Sequence, residues 1–439
     1  MRKYNFLLGF ILLFILLITP ISIICAQELW SYDPSKDLPK NDPLNREWII
    51  TAVATSEDAI YTAVGLYREH LVLDEKREVI LDDKGLYLMD RQSKLIFLNN
   101  KGEEIWSFKT QYAIENIRMS GNGEYIVVGT EEYSFNIDGY CEKVYVFNKS
   151  GTPLWTYDGG MFPYVDSSGN VIINTREGFE MYDIRKKLLW RHPNDDLHYI
   201  VASDELNLIA VGTAEYDDED IEYANYKVEL FDKNGRELWE RKTEQPVRKF
   251  YFSENGNLII APSLGGYQIY IFDRKGNQIE YSPDNSILAF STTPDGKYII
   301  TRGEKYISEN KFTDQITLLN GNAEVLWKTD IDTWSYTRFY DIKITNDGNY
   351  IYLFPGDKII IIDARTGEIK VTIDAPYSYI SSLSREGEYL AVEGYKLYLF
   401  DTKTLNSTST PKNVGLPWFS YVFAISLTVA ILYFIKNKS

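Results

Sequence analysis

From Arg46 onward, apolar and polar residues alternate in short runs, and each run is closed by Gly, Asn, Asp or Ser. A period of two broken by turn residues predicts half-buried strands of an all-β sandwich, barrel or propeller. Internal repetition decides among these. Polar turns bearing Gly lead into apolar runs, as in Ser120-Gly121-Asn122-Gly123-Glu124-Tyr125-Ile126 and Pro294-Asp295-Gly296-Lys297-Tyr298-Ile299. The next run ends in an aromatic residue and a second turn, as in Val144-Tyr145-Val146-Phe147-Asn148-Lys149-Ser150-Gly151 and Ile269-Tyr270-Ile271-Phe272-Asp273-Arg274-Lys275-Gly276. A further run then carries Ile105-Trp106, Leu154-Trp155, Leu189-Trp190, Leu238-Trp239 or Leu326-Trp327. Ile279-Glu280-Tyr281 and Ile369-Lys370-Val371 fill that place without Trp.

The two ends are complementary. Glu28-Leu29-Trp30-Ser31-Tyr32 is a fourth strand with no strands before it, and residues 377–401 read as three strands that stop before any Leu-Trp. One repeat split between the ends closes a ring. Fourth strands at Leu29, Ile105, Leu154, Leu189, Leu238, Ile279, Leu326 and Ile369, with first strands starting near Ile49, Ala113, Phe162, Leu197, Val247, Ile287, Tyr340 and Tyr379, predict an all-β, eight-bladed β-propeller over residues 28–405. Seven blades is the alternative, because the long span from Leu29 to Ile105 must hold an insertion. Antiparallel order predicts that the third-to-fourth turns share a face with the chain ends, and that the long insertions at 67–84, 131–142, 215–226 and 304–314 lie on the other face. Lys101, Lys149, Arg185, Lys186, Lys187, Lys233, Arg236, Arg274, Lys275 and Arg365 then predict a basic terminal face.

The unit Phe-Asp/Asn-x-x-Gly-x-x-Leu-Trp resembles the repeat of the pyrroloquinoline-quinone-like propellers, and the Asp-Gly-Lys/Asn-Tyr turns are similar to those of WD40-like propellers. The resemblance implies a fold. The quinone-dependent dehydrogenases of that group use adjacent cysteines and a calcium-binding acidic cluster, and this chain has no adjacent cysteines. It looks more like the non-enzymatic, membrane-anchored members.

Both ends are strongly apolar. Met1-Arg2-Lys3 and the run 6–26 fit either a removed secretory signal or an uncleaved N-terminal anchor. After a linker at 406–415, the run 416–435 is long enough to span a bilayer, with Trp418 and Tyr421 at one end. Lys436 and Lys438 predict a cytoplasmic tail at 436–439. Residues between the two segments are then extracytoplasmic at the cell membrane, where Asn148 and Asn406 are glycosylation candidates.

Composition narrows the chemistry. A net charge of -17 argues against nucleic acid, since phosphate binding needs a basic face. Three histidines leave little material for an imidazole metal site or a triad. His192 and His198 read as loop residues. The acidic run holding Asp217, Asp218, Glu219 and Asp220 offers hard oxygen ligands that suit calcium, but it matches no EF-hand spacing and reads first as a solvated loop. The expectation is therefore a scaffold without catalytic residues or cofactor that binds a protein or cell-surface polymer through acidic loops on the membrane-distal face. The alternative is a quinone- or metal-dependent oxidoreductase, or a hydrolase, with its site in the central channel.

Overall fold

The computed structural model describes residues 28–34, 48–72, 74, 79–81, 89–131, 143–175, 178–193, 197–203, 206–217, 222–247, 250–253, 256–263, 266–308, 311–331, 341–378, 381–383, 389–393 and 397–402. After β1 (Glu28–Tyr32) the strands run in fours. These are β2–β5 (Ile49–Thr55, Tyr61–Leu71, Met89–Asn99, Glu104–Thr110), β6–β9 (Ala113–Met119, Tyr125–Glu131, Lys143–Asn148, Pro153–Asp158) and β10–β13 (Gly160–Val165, Val171–Thr175, Gly178–Tyr182, Leu188–Pro193). Next come β14–β17 (Leu197–Ala202, Leu208–Asp217, Glu222–Asp232, Glu237–Lys242), β18–β21 (Tyr251–Phe252, Leu258–Pro262, Ile269–Asp273, Gln278–Tyr281) and β22–β25 (Ile287–Thr292, Tyr298–Ser308, Lys311–Asn320, Val325–Ile331). The series ends with β26–β29 (Asp341–Ile344, Tyr350–Phe354, Gly356–Asp363, Ile369–Ser378) and β30–β32 (Ser381–Leu383, Tyr389–Glu393, Leu397–Asp401).

Each group of four is one antiparallel meander, and the last sheet is completed by β1 in the order β1-β32-β31-β30. Trp30, Ser31 and Tyr32 lie opposite Leu399, Tyr398 and Leu397. The split repeat is thus present as a paired strand. Eight apolar clusters among the described residues each bridge two successive sheets, and the one holding Ile50, Val64, Leu397 and Leu399 joins the last sheet to the first. Sheets that cannot bury their faces alone do so against neighbours around an axis, which makes this a β-propeller.

The fourth strands show how the Leu-Trp pair works. Trp106, Trp155, Trp190, Trp239 and Trp327 each sit at a bulge, so Ile105, Leu154, Leu189, Leu238 and Leu326 have no partner in the ladder and are exposed. A bulge on an edge strand re-aims a side chain and breaks up an otherwise sticky edge. Here it turns the indole toward the next sheet. Each Nε1–H donates to a carbonyl in that sheet's third-to-fourth turn: Lys149 (2.8 Å), Ile184 (2.9 Å), Lys233 (2.9 Å), Arg274 (3.2 Å) and Ala364 (2.8 Å). Strand β21 has no Trp and no bulge. Strand β29 also lacks Trp, and the sheet beyond it is the one whose third-to-fourth turn is replaced by the chain ends. There is no turn there for an indole to dock on.

The chain ends and the insertions take opposite faces. Strand β32 finishes, and β1 begins, on the face of the first-to-second and third-to-fourth turns; the second-to-third connections lie on the other. The insertions are not all loops, however. Asp217 pairs with Glu222, Ser308 with Lys311 and Leu71 with Met89, so three of them extend β-hairpins into arms. Residues 132–142 lie outside the described residues. At the base of the β23–β24 arm, the nearly buried Arg302 and Asp314 form an ion pair at 2.5 Å that ties the two strands together.

The terminal face is not uniformly basic. Asp183, Asp232, Asp273 and Asp363 sit in the same turns as the lysines and arginines, accepting backbone N–H groups two to four residues ahead. The first-to-second turns add Glu57, Asp58, Glu124, Asp295 and Asp347 to that face, and Lys149 is ion-paired with Glu124. Counting the cations alone overstated its charge. No helix among the described residues is long and apolar enough to cross a membrane. The apolar segments 6–26 and 416–435 lie outside the described residues.

Candidate functional site

The first strand of each sheet is innermost. Neighbouring sheets adjoin chiefly through their first strands, as where β6 meets β2 and β3, β10 meets β7 and β6, and β26 meets β22. Two residues before the residue that opens the first turn, one position recurs in the seven sheets whose first turn is described: Ala54, Arg118, Tyr164, Val201, Tyr251, Ser291 and Lys343 precede Ser56, Ser120, Asp166, Ser203, Ser253, Thr293 and Thr345. All seven stand in the same register against their second strands, opposite Ala63, Val127, Ile172, Ala210, Ile260, Ile300 and Tyr352. They therefore sit at one level around the axis.

Four of these residues form a charged and aromatic constellation. Arg118 lies over the Tyr164 ring, 5.1 Å from its centre. Lys343 pairs with Asp341, two residues before it on the same strand, at 3.0 Å. Tyr251 meets the ring of Phe290 edge-on at 4.2 Å. Burial raises the pKa of the Tyr251 hydroxyl against the pull of Lys343; Asp341, Arg118 and Tyr164 act on it too, although they stand on other sheets. Burial depresses Lys343, but Asp341 and Tyr251 more than offset this and leave it raised. Groups on non-neighbouring sheets act on one another across the channel. The arrangement offers cations, a protonated phenol and aromatic faces, and so can bind and orient a ligand.

A second polar cluster is closed rather than open. The Glu180 carboxylate, 1% exposed, accepts from Tyr157 at 3.0 Å and from Tyr182, and pairs with Arg191. This ties β9 to the next sheet. The Tyr182 and Tyr157 hydroxyls are raised first by burial and then by Glu180, and Tyr67 is pushed up to about 12 by burial and Glu69. Such groups favour the fold while protonated. Their contribution is whole below the free tyrosine value near pH 10 and is lost as pH rises through the raised ones. Urea midpoints are expected to stay level up to about pH 10 and to fall above it in step with tyrosinate absorbance.

The residues singled out from sequence fare differently. Asp217 ends β15, while Asp218, Glu219 and Asp220 lie outside the described residues, as does Asn406. No group of three metal-ligating side chains occurs among the described residues. Asn148 caps a turn, accepting from Ser150 Oγ at 2.7 Å and from Thr152 N–H at 3.0 Å, the role Asp232 and Asp273 play in their repeats. His192 is packed against Phe179 and Phe231, with ring centres 5.0 and 4.6 Å away, so it belongs to the core between sheets rather than to a loop. The side chain of His198 lies outside the described residues. Sequence reading missed the channel constellation, although the recurring position before the first turn was a signal that could have found it.

A family model described as a family of unknown function (DUF5711) matches residues 194–373. No curated protein matches the sequence. Among solved structures, a eukaryotic initiation factor is similar at 13% identity and TM-score 0.54, over 82% of this chain and 88% of that one. Hydrazine synthase of Kuenenia stuttgartiensis is similar at 11% identity and TM-score 0.50, over 83% of this chain and 99% of that one. The Cps50 (Swd1) β-propeller domain of Myceliophteria thermophila aligns at 9% identity and TM-score 0.45, over 81% and 97%. These likenesses concern the fold alone. The family model that matches is not that of the pyrroloquinoline-quinone-like repeat.

Proposed function

We propose that this chain is a membrane-anchored, extracytoplasmic β-propeller of eight blades that binds a protein or cell-surface polymer and catalyses no reaction. The observation that carries the reading is the side-by-side exit of β1 and β32 on one face, with the apolar runs 6–26 and 416–435 beyond them and the hairpin arms on the opposite face. A ring tethered this way presents its arms to whatever lies outside the cell. Protease added to intact cells is expected to cut within residues 217–222 and to spare 185–187, and crosslinking from intact membranes should join a partner to the arms. The opposite cleavage pattern would overturn the orientation. Stoichiometric calcium together with a quinone absorption band in the purified protein would replace the scaffold with an oxidoreductase.

A further inference from the structure

The geometry points to a binding site in the channel for a small molecule bearing a carboxylate, formed by Arg118, Tyr251 and Lys343. This inference is independent of the membrane placement and of any partner at the arms. The fold itself does not ask for charge at this level, because the equivalent position holds Ala54 in one sheet and Val201 in another. Packing accepts a small apolar residue there. Arg118 and Lys343 must therefore be explained by something other than the ring.

Their disposition suits a planar anion. Arg118 is an exposed residue that gives one N–H to the Ile117 carbonyl at 3.2 Å and has its guanidinium positioned over the Tyr164 ring. A planar fork of donors matches a carboxylate with two parallel hydrogen bonds. Lys343 is held by Asp341, so the pair adds field and position without a second full positive charge. Two cations against one carboxylate leave a surplus of one positive charge, which complements a singly charged group. Tyr251 adds a hydroxyl that stays protonated at neutral pH and can donate to the same anion. The rest of the chain carries the opposite sign, so this positive spot stands out against the -17 of the whole.

The test is calorimetric titration of the full-length protein in neutral detergent with benzoate, its uncharged counterpart benzamide, and inorganic phosphate. Benzoate should bind saturably and benzamide should not. Arg118→Gln should weaken benzoate about tenfold or more, the loss of roughly one charge-assisted pair. Tyr251→Phe should weaken it severalfold, whereas Arg185→Gln, which removes an exposed cation from a turn, should leave it unchanged. Arg118 is exposed, so its replacement strands no buried partner, and a matching melting curve for that variant secures the comparison. Absence of benzoate binding, equal binding of benzamide, tighter binding of phosphate, or indifference to Arg118→Gln would each overturn the assignment.

Discussion

Removing Glu28–Tyr32 from the full-length chain is expected to cost several kcal/mol, a large fraction of the roughly 5–15 kcal/mol that holds a typical domain together. The deletion strips β32 of its partner and leaves its N–H and C=O groups as an open edge. It also removes Tyr32 from the cluster that joins the last sheet to the first through Ile50, Val64, Leu66, Leu397 and Leu399. Damage at this seam differs from damage elsewhere, because among the described residues β1 is the strand that pairs the two ends of the chain. A synthetic peptide spanning residues 28–33 should restore the melting temperature in a dose-dependent way, since the vacant edge is a strand template. A deletion variant that melts with the intact protein would show that β1 adds nothing to closure.

That closure was legible because it is a matter of repetition. Each Leu-Trp phrase marks an outer strand, and a phrase with nothing before it must complete a sheet elsewhere. The arms were less legible for a physical reason. The acidic run from Glu215 to Glu222 shows no apolar alternation, so it reads as solvated loop even though Asp217 and Glu222 are paired. The fifth first strand was legible despite its shortness: Val247 bridges antiparallel to Ser263, and β18 continues the same pairing at Tyr251 and Phe252.

The channel site was hidden by distance along the chain. Arg118, Tyr251 and Lys343 share no motif and come to one level only because each stands two residues before a first turn in a different sheet. Register sets that level, and register is known only once the strands are paired. The terminal face illustrates the opposite error. Its lysines were visible, but the aspartates beside them are what hold the turns: burial tends to raise Asp232 and Asp273, yet backbone N–H donors in the turns, joined by Asn277 Nδ2 at Asp273, lower both.

Trp239→Ala is expected to destabilise the protein by about 3–5 kcal/mol, the range for emptying a packed aromatic site. Trp239 is 7% exposed, lies 5.3 Å from the Phe272 ring, and belongs to the cluster joining β14–β17 to β18–β21. Its loss also leaves the Arg274 carbonyl without the indole donor. The partner in this contact is Gly276, at φ 79, where an added Cβ would lie 3.0 Å from the indole and 2.8 Å from the Arg241 guanidinium. Gly276→Ala alone should therefore cost more than the roughly 1–2 kcal/mol of left-handed backbone strain. In the double variant the indole clash is gone, so the two losses should sum to less than their total by about 0.5–3 kcal/mol, as touching residues do. Two turns carry a Cβ at this position: Ala323, at φ 64, faces β21, where Glu280 stands in place of Trp, and Lys186, at φ 63, faces Trp155, so the clash at Gly276 comes from the local placement of Trp239 and Arg241. Strictly additive losses in a urea-denaturation cycle of the two single variants and the double would mean that the indole and the turn do not bear on each other.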